Sequence, residues 1–247
     1  NRVLLPEPIG WQELRLVHTD GYLESVHEPR GLSRVFGVDL TEAQQERLIE
    51  AQRTMAAGTA MAAEAALPRR SVAFNLGGGF HHALADRGQG FCLFNDLALA
   101  VGRLRRQGFA GRVLIVDLDL HDGDGTRRIF ADDASVHTFS IHNAPWGDEQ
   151  AVESTSVSLG AGVEDERLLT TLAEQLPPLA ARFLPDLVLY VAGCDPAGDD
   201  RLGNWKLTAD GMLRRDRFVY ETFRRLRQPP AFVGVLAGGY GEHTWRY

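Results

Sequence analysis

The chain is poor in cysteine. Only Cys92 and Cys194 occur among 247 residues, too few for a disulfide framework, and a chain of this length buries enough apolar surface to need none. That scarcity fits a reducing compartment, so the cytoplasm is the expected location, or the nucleus in a eukaryote. Long hydrophobic runs are also lacking. Stretches such as 187–194 fall far short of the ~20 residues that cross a bilayer, and no apolar leader opens the sequence, so neither a membrane span nor an export signal is expected. Basic charge is in deficit as well. Lys and Arg number 26 against 33 Asp and Glu, a formal net charge of −7; a polyanion would meet net repulsion, and nucleic acid is not expected as a direct ligand.

With 44% hydrophobic and 24% charged residues, and with no repeat, low-complexity tract or linker, the composition is that of one globular domain over 1–247. Pro6, Pro8 and Pro29 suggest loops at the start. Tyr247 follows the last predicted strand by only a few residues, so a terminal helix or an opening strand is expected to be missing from the chain.

Short β-branched runs alternate with helical stretches, which predicts an α/β fold: a mainly parallel sheet with helices on both faces. Strands are expected near 72–76, 113–118, 136–141, 187–192 and 232–236. Helices are expected near 95–107, 164–176 and 208–226, and a longer one from the Thr41 and Gln44 capping box to about residue 66, stopped by Leu67-Pro68. Three arginine groups (Arg103, Arg105 and Arg106; Arg214, Arg215 and Arg217; Arg224, Arg225 and Arg227) fall on these helices and are read as solvated faces without chemistry.

A parallel sheet places its ligands beyond the carboxyl ends of its strands, and the unusual residues lie there. Gly77-Gly78-Gly79-Phe80-His81-His82 follows the first predicted strand, and Asp117, Asp119, His121 and Asp124 lie at and after the end of the second. His142, Gly193-Cys194-Asp195 and Gly238-Gly239-Tyr240 follow the other three. Strand periodicity sends 117, 119 and 121 to one face, where two carboxylates and an imidazole need a cation or donors if buried. Asp195 would complete an Asp-His-Asp set with positions open for water and substrate, whose oxygen and nitrogen donors suit Zn²⁺ or Fe²⁺. His81 and His82 offer two proton-transfer groups that neighbouring carboxylates could tune differently. Each feature also has an ordinary alternative: helix or turn capping for the aspartates, an Asx turn before Pro196 for Asp195, a surface His pair, and a packed tyrosine after a turn.

These residues, with Arg87-Gly88-Gln89-Gly90-Phe91-Cys92-Leu93-Phe94-Asn95-Asp96 and Asp117-Leu118-Asp119-Leu120-His121-Asp122-Gly123-Asp124-Gly125, resemble the zinc-dependent histone deacetylase family of the arginase/deacetylase fold. The resemblance runs from about residue 72 to 240. Gly198-Asp199-Asp200-Arg201-Leu202-Gly203, Leu207-Thr208-Ala209-Asp210-Gly211-Met212 and Ala144-Pro145-Trp146-Gly147-Asp148 are most similar to the class IV deacetylases and their bacterial relatives.

The resemblance implies that Asp119, His121 and Asp195 hold Zn²⁺, that His81 pairs with Asp117 and His82 with Asp124, and that His82 is the general base and acid. It also implies that Tyr240 binds the scissile carbonyl, Gly90 accepts the substrate amide hydrogen, and Phe91 walls a tunnel for an acyl-lysine chain of a protein or peptide. Trp146 is expected as the second wall. A structural K⁺ is implied near Asp117, Asp119, His121 and Ser140. Ala237 stands where many members have a glycine. Three competing functions follow: an acylpolyamine amidohydrolase, a non-catalytic acyl-lysine reader, and a two-manganese ureohydrolase. The last needs a further aspartate at the position of Ala197 and is set aside.

Overall fold

Six runs pair as parallel strands: β1 (Val72–Asn75), β2 (Val113–Asp117), β3 (Val136–His142), β4 (Ser154–Ser158), β5 (Leu187–Val191) and β6 (Ala231–Val235). A computed structural model describes residues 3–28, 30–147 and 150–247, so Pro29 and Asp148 lie outside the described residues. The strand order is β1-β6-β5-β2-β3-β4. From β2 the chain steps outward to β3 and β4; from β5 it steps to β6 on the other side. The crevice of such a sheet opens where the order reverses, here between the carboxyl ends of β2 and β5. In register, Asp117 lies opposite Ser140 on β3 and Val191 on β5.

The helices are α1 (Trp11–Leu14), α2 (Asp20–Ser25), α3 (Ser33–Phe36), α4 (Glu42–Ala66), α5 (Asp96–Arg106), α6 (Asp124–Ile129), α7 (Asp165–Phe183) and α8 (Ala209–Arg224). The alanine-rich α4 starts at the Thr41/Gln44 capping box and ends as expected, where Leu67–Arg69 tightens into a 3₁₀ turn. Leu97, Val101 and Leu104 of α5 and Ala60 and Ala63 of α4 cover one sheet face over Val113, Ile115 and Val233. The other face, with Leu114, Val116 and Val188, is covered by Leu172, Leu176, Met212 and Val219 of α7 and α8. A third cluster, including Leu14, Tyr22 and Leu32, packs the first three helices beside α4 and α5.

Four expectations need correction. The first segment contains α1 to α3, too short to show a periodicity. β4 was not foreseen, because Ser154-Thr155-Ser156-Val157-Ser158 is a polar edge strand with little hydrophobic alternation. α7 continues past 176 through Pro177 and Pro178, since its buried stripe of Leu168, Leu172, Leu176, Leu179 and Phe183 stays on one face and outweighs the lost amide donors. The arginine groups are not uniformly solvated: Arg105 donates to the carbonyls of Phe109 and Gly111, and Arg215 is 0% exposed.

His18 joins the amino-terminal layer to the rest. Its Nδ1 lies 2.9 Å from the Leu84 carbonyl, and its Nε2 accepts the Asn95 N–H at 3.1 Å, so these bonds select the neutral Nδ1–H tautomer. Burial lowers the His18 pKa to about 4, against the raising effect of the Leu84 and Ala85 backbone. Between about pH 6.5 and 4 the unfolded chain takes up a proton that the folded chain refuses. This contribution to stability is therefore complete above about 6.5 and declines as pH falls toward 4, by at most about 3 kcal/mol. Urea midpoints should drop more between pH 7 and 4.5 in the wild type than in His18→Gln; equal drops would remove His18 from the acid dependence.

Candidate active site

The glycine turn after β1 delivers both adjacent histidines. Gly78 and Gly79 each have φ of +79°, and a β carbon on Gly79 would come within 2.5 Å of the Ala237 methyl, so neither the backbone nor the space admits a side chain there. Asp96, at the start of α5, holds the turn. Its Oδ2 accepts the Gly79 N–H at 2.9 Å and the Thr59 hydroxyl at 2.5 Å, and its Oδ1 accepts the Phe80 N–H at 2.7 Å.

His81 and His82 are both 3% exposed, which excludes a surface pair. His81 Nδ1 lies 2.6 Å from Asp117 Oδ2, and His82 Nδ1 lies 2.8 Å from Asp124 Oδ1. The other Asp124 oxygen accepts the Gln89 amide at 2.6 Å. Burial disfavours a charge on His81, but Asp117 and Asp119 prevail and raise its pKa to about 10. For His82, burial and the neighbouring His81 prevail over Asp124 and lower the pKa to about 4. The surroundings thus shift two adjacent imidazoles in opposite directions.

The loops after β2 and β5 converge beside them. His121 Nδ1 lies 2.9 Å from Asp195 Oδ2 and 3.3 Å from Asp119 Oδ1, and the ligand atoms of Asp119, His121 and Asp195 all lie within 4.8 Å of one another. The regular strand ends at Asp117, earlier than 118, yet the alternation persists: Leu118 and Leu120 enter the core while Asp119 and His121 face the cluster. Asp195 is no Asx turn, since its Oδ1 accepts the Leu120 N–H from the β2 loop at 2.9 Å. A β carbon on Gly193 would collide with Asp119 Oδ2. Burial, then the Asp119 charge, pushes Asp195 up to about 7. Two buried carboxylates with one imidazole between them form a donor set suited to a divalent cation, which would relieve that conflict.

His81, His82, Asp119 and His121 border a cavity of about 120 Å³, also lined by Gly90, Phe91, Trp146 and Tyr240. Trp146 stacks on His82 with ring centroids 4.0 Å apart and planes 10° from parallel. Its backbone N–H reaches Asp122 Oδ2 at 3.1 Å, and Asp122 is held by both terminal nitrogens of Arg127 at 2.6 and 2.7 Å. Phe91 has a left-handed backbone, with its N–H on the Val35 carbonyl and its own carbonyl on Gln52. Tyr240 lies 5.8 Å from Phe91 between ring centroids; burial and the Asp119 and Asp195 charges raise its pKa and keep the phenol a donor. His142 is placed differently from the expectation. It is fully buried behind the cavity, with Nδ1 2.9 Å from Ser140 Oγ and 3.5 Å from Asp122 Oδ1. Sequence reasoning gave no role to Gln89, Asp96, Asp122 and Arg127; the first two act on groups far away in the chain, Asp124 and the turn at Gly79 and Phe80.

A model of the histone deacetylase domain matches residues 2–246. The chain belongs to the histone deacetylase family. This places it among hydrolases of the arginase/deacetylase fold. An uncharacterized protein of Picosynechococcus sp. is 38% identical, the match covering 90% of this chain and 76% of that protein. Histone deacetylase 2 of Arabidopsis thaliana is 33% identical, covering 95% and 62%, and the acetoin utilization protein AcuC of Bacillus subtilis 30%, covering 99% and 67%. The crystal structure of a histone deacetylase homolog complexed with SAHA superposes with a TM-score of 0.81 at 26% identity, covering 98% of this chain and 68% of the other. The chain thus spans between 62% and 76% of the lengths of these three relatives.

For this deacetylase-family chain, dialysis against micromolar Zn²⁺ should leave about one equivalent per chain. His121→Ala and Asp195→Asn should retain under about a tenth of it. A wild-type protein that retains no ion would overturn the metal assignment.

Proposed function

We propose that the protein is a zinc-dependent amidohydrolase that removes an acyl group from the Nε of lysine side chains in proteins. The observation that carries this reading is the meeting of two His–Asp pairs, a phenol and an Asp-His-Asp cluster around one narrow cavity. Asp119, His121 and Asp195 would hold the ion. The chemistry it supplies when bound is Lewis acidity toward the amide carbonyl and an attacking water, whose pKa zinc lowers to ~7.

The side chains divide the remaining work. Asp124, fixed by Gln89, accepts the Nδ1–H of His82 and leaves Nε2 as a neutral base that takes the proton of the attacking water. The same Nε2 then returns that proton to the lysine nitrogen as the C–N bond breaks. His81, held by Asp117, lies beside the reacting centre and orients the turn that carries His82. Tyr240 donates its O–H to the oxygen on which negative charge develops. The Gly90 carbonyl accepts the substrate amide N–H, and Phe91 and Trp146 flank the methylene chain. Asp117, Asp119, His121 and Ser140 would border a structural K⁺. Similarity to proteins named for acetoin utilization as well as for histone deacetylation supports a target range wider than histones.

Competition between an acyl-lysine peptide and an acylpolyamine tests the substrate class: preferential turnover of the peptide is expected, and preference for the polyamine would overturn the protein-lysine assignment. Tyr240→Phe should lower kcat on the peptide by about 10²–10³. Unchanged turnover would remove the phenol from the mechanism, and metal-loaded wild type without turnover of either substrate would indicate a binding protein.

A further inference from the structure

Arg215 lies on α8 and is completely buried, an uncommon place for a guanidinium, which is costly to desolvate unless its donors are satisfied. Its Nη1 donates to two carbonyls at once, that of Leu118 at 3.1 Å and that of Gly193 at 2.8 Å. Nε and Nη2 both lie 2.8 Å from Asp216 Oδ1, and the same oxygen accepts the Tyr190 hydroxyl at 2.6 Å. The side chain is therefore fixed from behind and aimed at two backbone groups.

Those groups have particular neighbours. Leu118 directly precedes Asp119, and Gly193 is two residues before Asp195. They belong to the separate loops that carry all members of the Asp119, His121 and Asp195 cluster. Regular pairing of β2 with β5 ends at Asp117 and Val191, with Leu118 N–H on the Val191 carbonyl continuing it by one bond. Beyond that point one nitrogen of Arg215 joins the two loops. Gly193 packs so closely on Asp119 Oδ2 that it has no room for a β carbon, so a displacement of one loop moves the carboxylate of the other.

We propose that Arg215 is a positioning residue for the divalent ion: by holding the Leu118 and Gly193 carbonyls on one nitrogen, it sets the spacing between the two ligand-bearing loops and thereby the metal affinity. This inference rests on the assignment of Asp119, His121 and Asp195 as ligands. Groups one step removed from a metal govern its affinity through ligand orientation, typically by 10–100-fold on mutation.

The test is competition for Zn²⁺ against a chromogenic chelator in the wild type, Arg215→Met and Arg215→Lys, with urea unfolding of each metal-free protein alongside. Arg215→Met should bind Zn²⁺ about 10–100-fold more weakly while its metal-free form remains folded. Arg215→Lys should fall between it and the wild type, since an ammonium reaches the carbonyls but forfeits the fork on Asp216. A purely structural role would lower metal-free stability and leave the affinity of the folded protein unchanged. Folded Arg215→Met with a dissociation constant within about threefold of wild type would overturn the proposal; should that variant not fold, wild-type affinity in Arg215→Lys would do so. Failure of the wild type itself to bind Zn²⁺ would instead refute the underlying metal assignment.

Discussion

The site depends on one electrostatic constraint. Asp119 and Asp195 arise from loops after adjacent strands, and folding presses their carboxylates together out of water with His121 between them. Burial penalises both charges; His81 and His121 nonetheless favour the ionised Asp119, whose charge adds to the penalty on Asp195. Backbone N–H groups from Leu120 and Gly238 take part of the load, but they are dipoles and leave the net charge in place. A divalent cation would balance it, and the position between β2 and β5 is the opening that a sheet with reversed strand order provides.

Around that centre, polar groups act mainly to limit the orientations of other polar groups. Asp124 is held from one side by Gln89, and it orients His82. Asp96 holds the amides that precede His81, and Asp122, clamped by Arg127, holds the backbone of Trp146 against the His82 ring. Nearly every group that faces the cavity is thus fixed by one that does not, which is what a preorganised site requires if reorganisation is not to add to the barrier.

The sequence showed the parts of this arrangement that have a local signature. Apolar β-branched runs announced β2, β3, β5 and β6, and Thr41 with Gln44 announced α4. The glycine-flanked histidines and the aspartates stood out because they follow strands in a parallel sheet. β4 and the helical continuation over Pro177 and Pro178 were illegible, since the stability of each comes from its neighbours: pairing with β3 in one case, a continuous apolar stripe in the other. Arg215 was illegible for a similar reason. Between Arg214 and Arg217 it reads as one more solvated charge, and only the fold distinguishes the guanidinium turned inward from those turned outward.

The strand order has a consequence for how the molecule comes into being. β1 and β2 precede β5 and β6 in the chain but are not neighbours; β5 and β6, made after them, lie between them in the sheet. Until both are seated there is no contiguous sheet centre, and Asp119 waits for a partner 76 positions downstream. Such distant pairings form late and cooperatively. The cluster of Asp119, His121 and Asp195 therefore comes together only once β5 is seated beside β2, and a half-folded copy keeps its carboxylates apart.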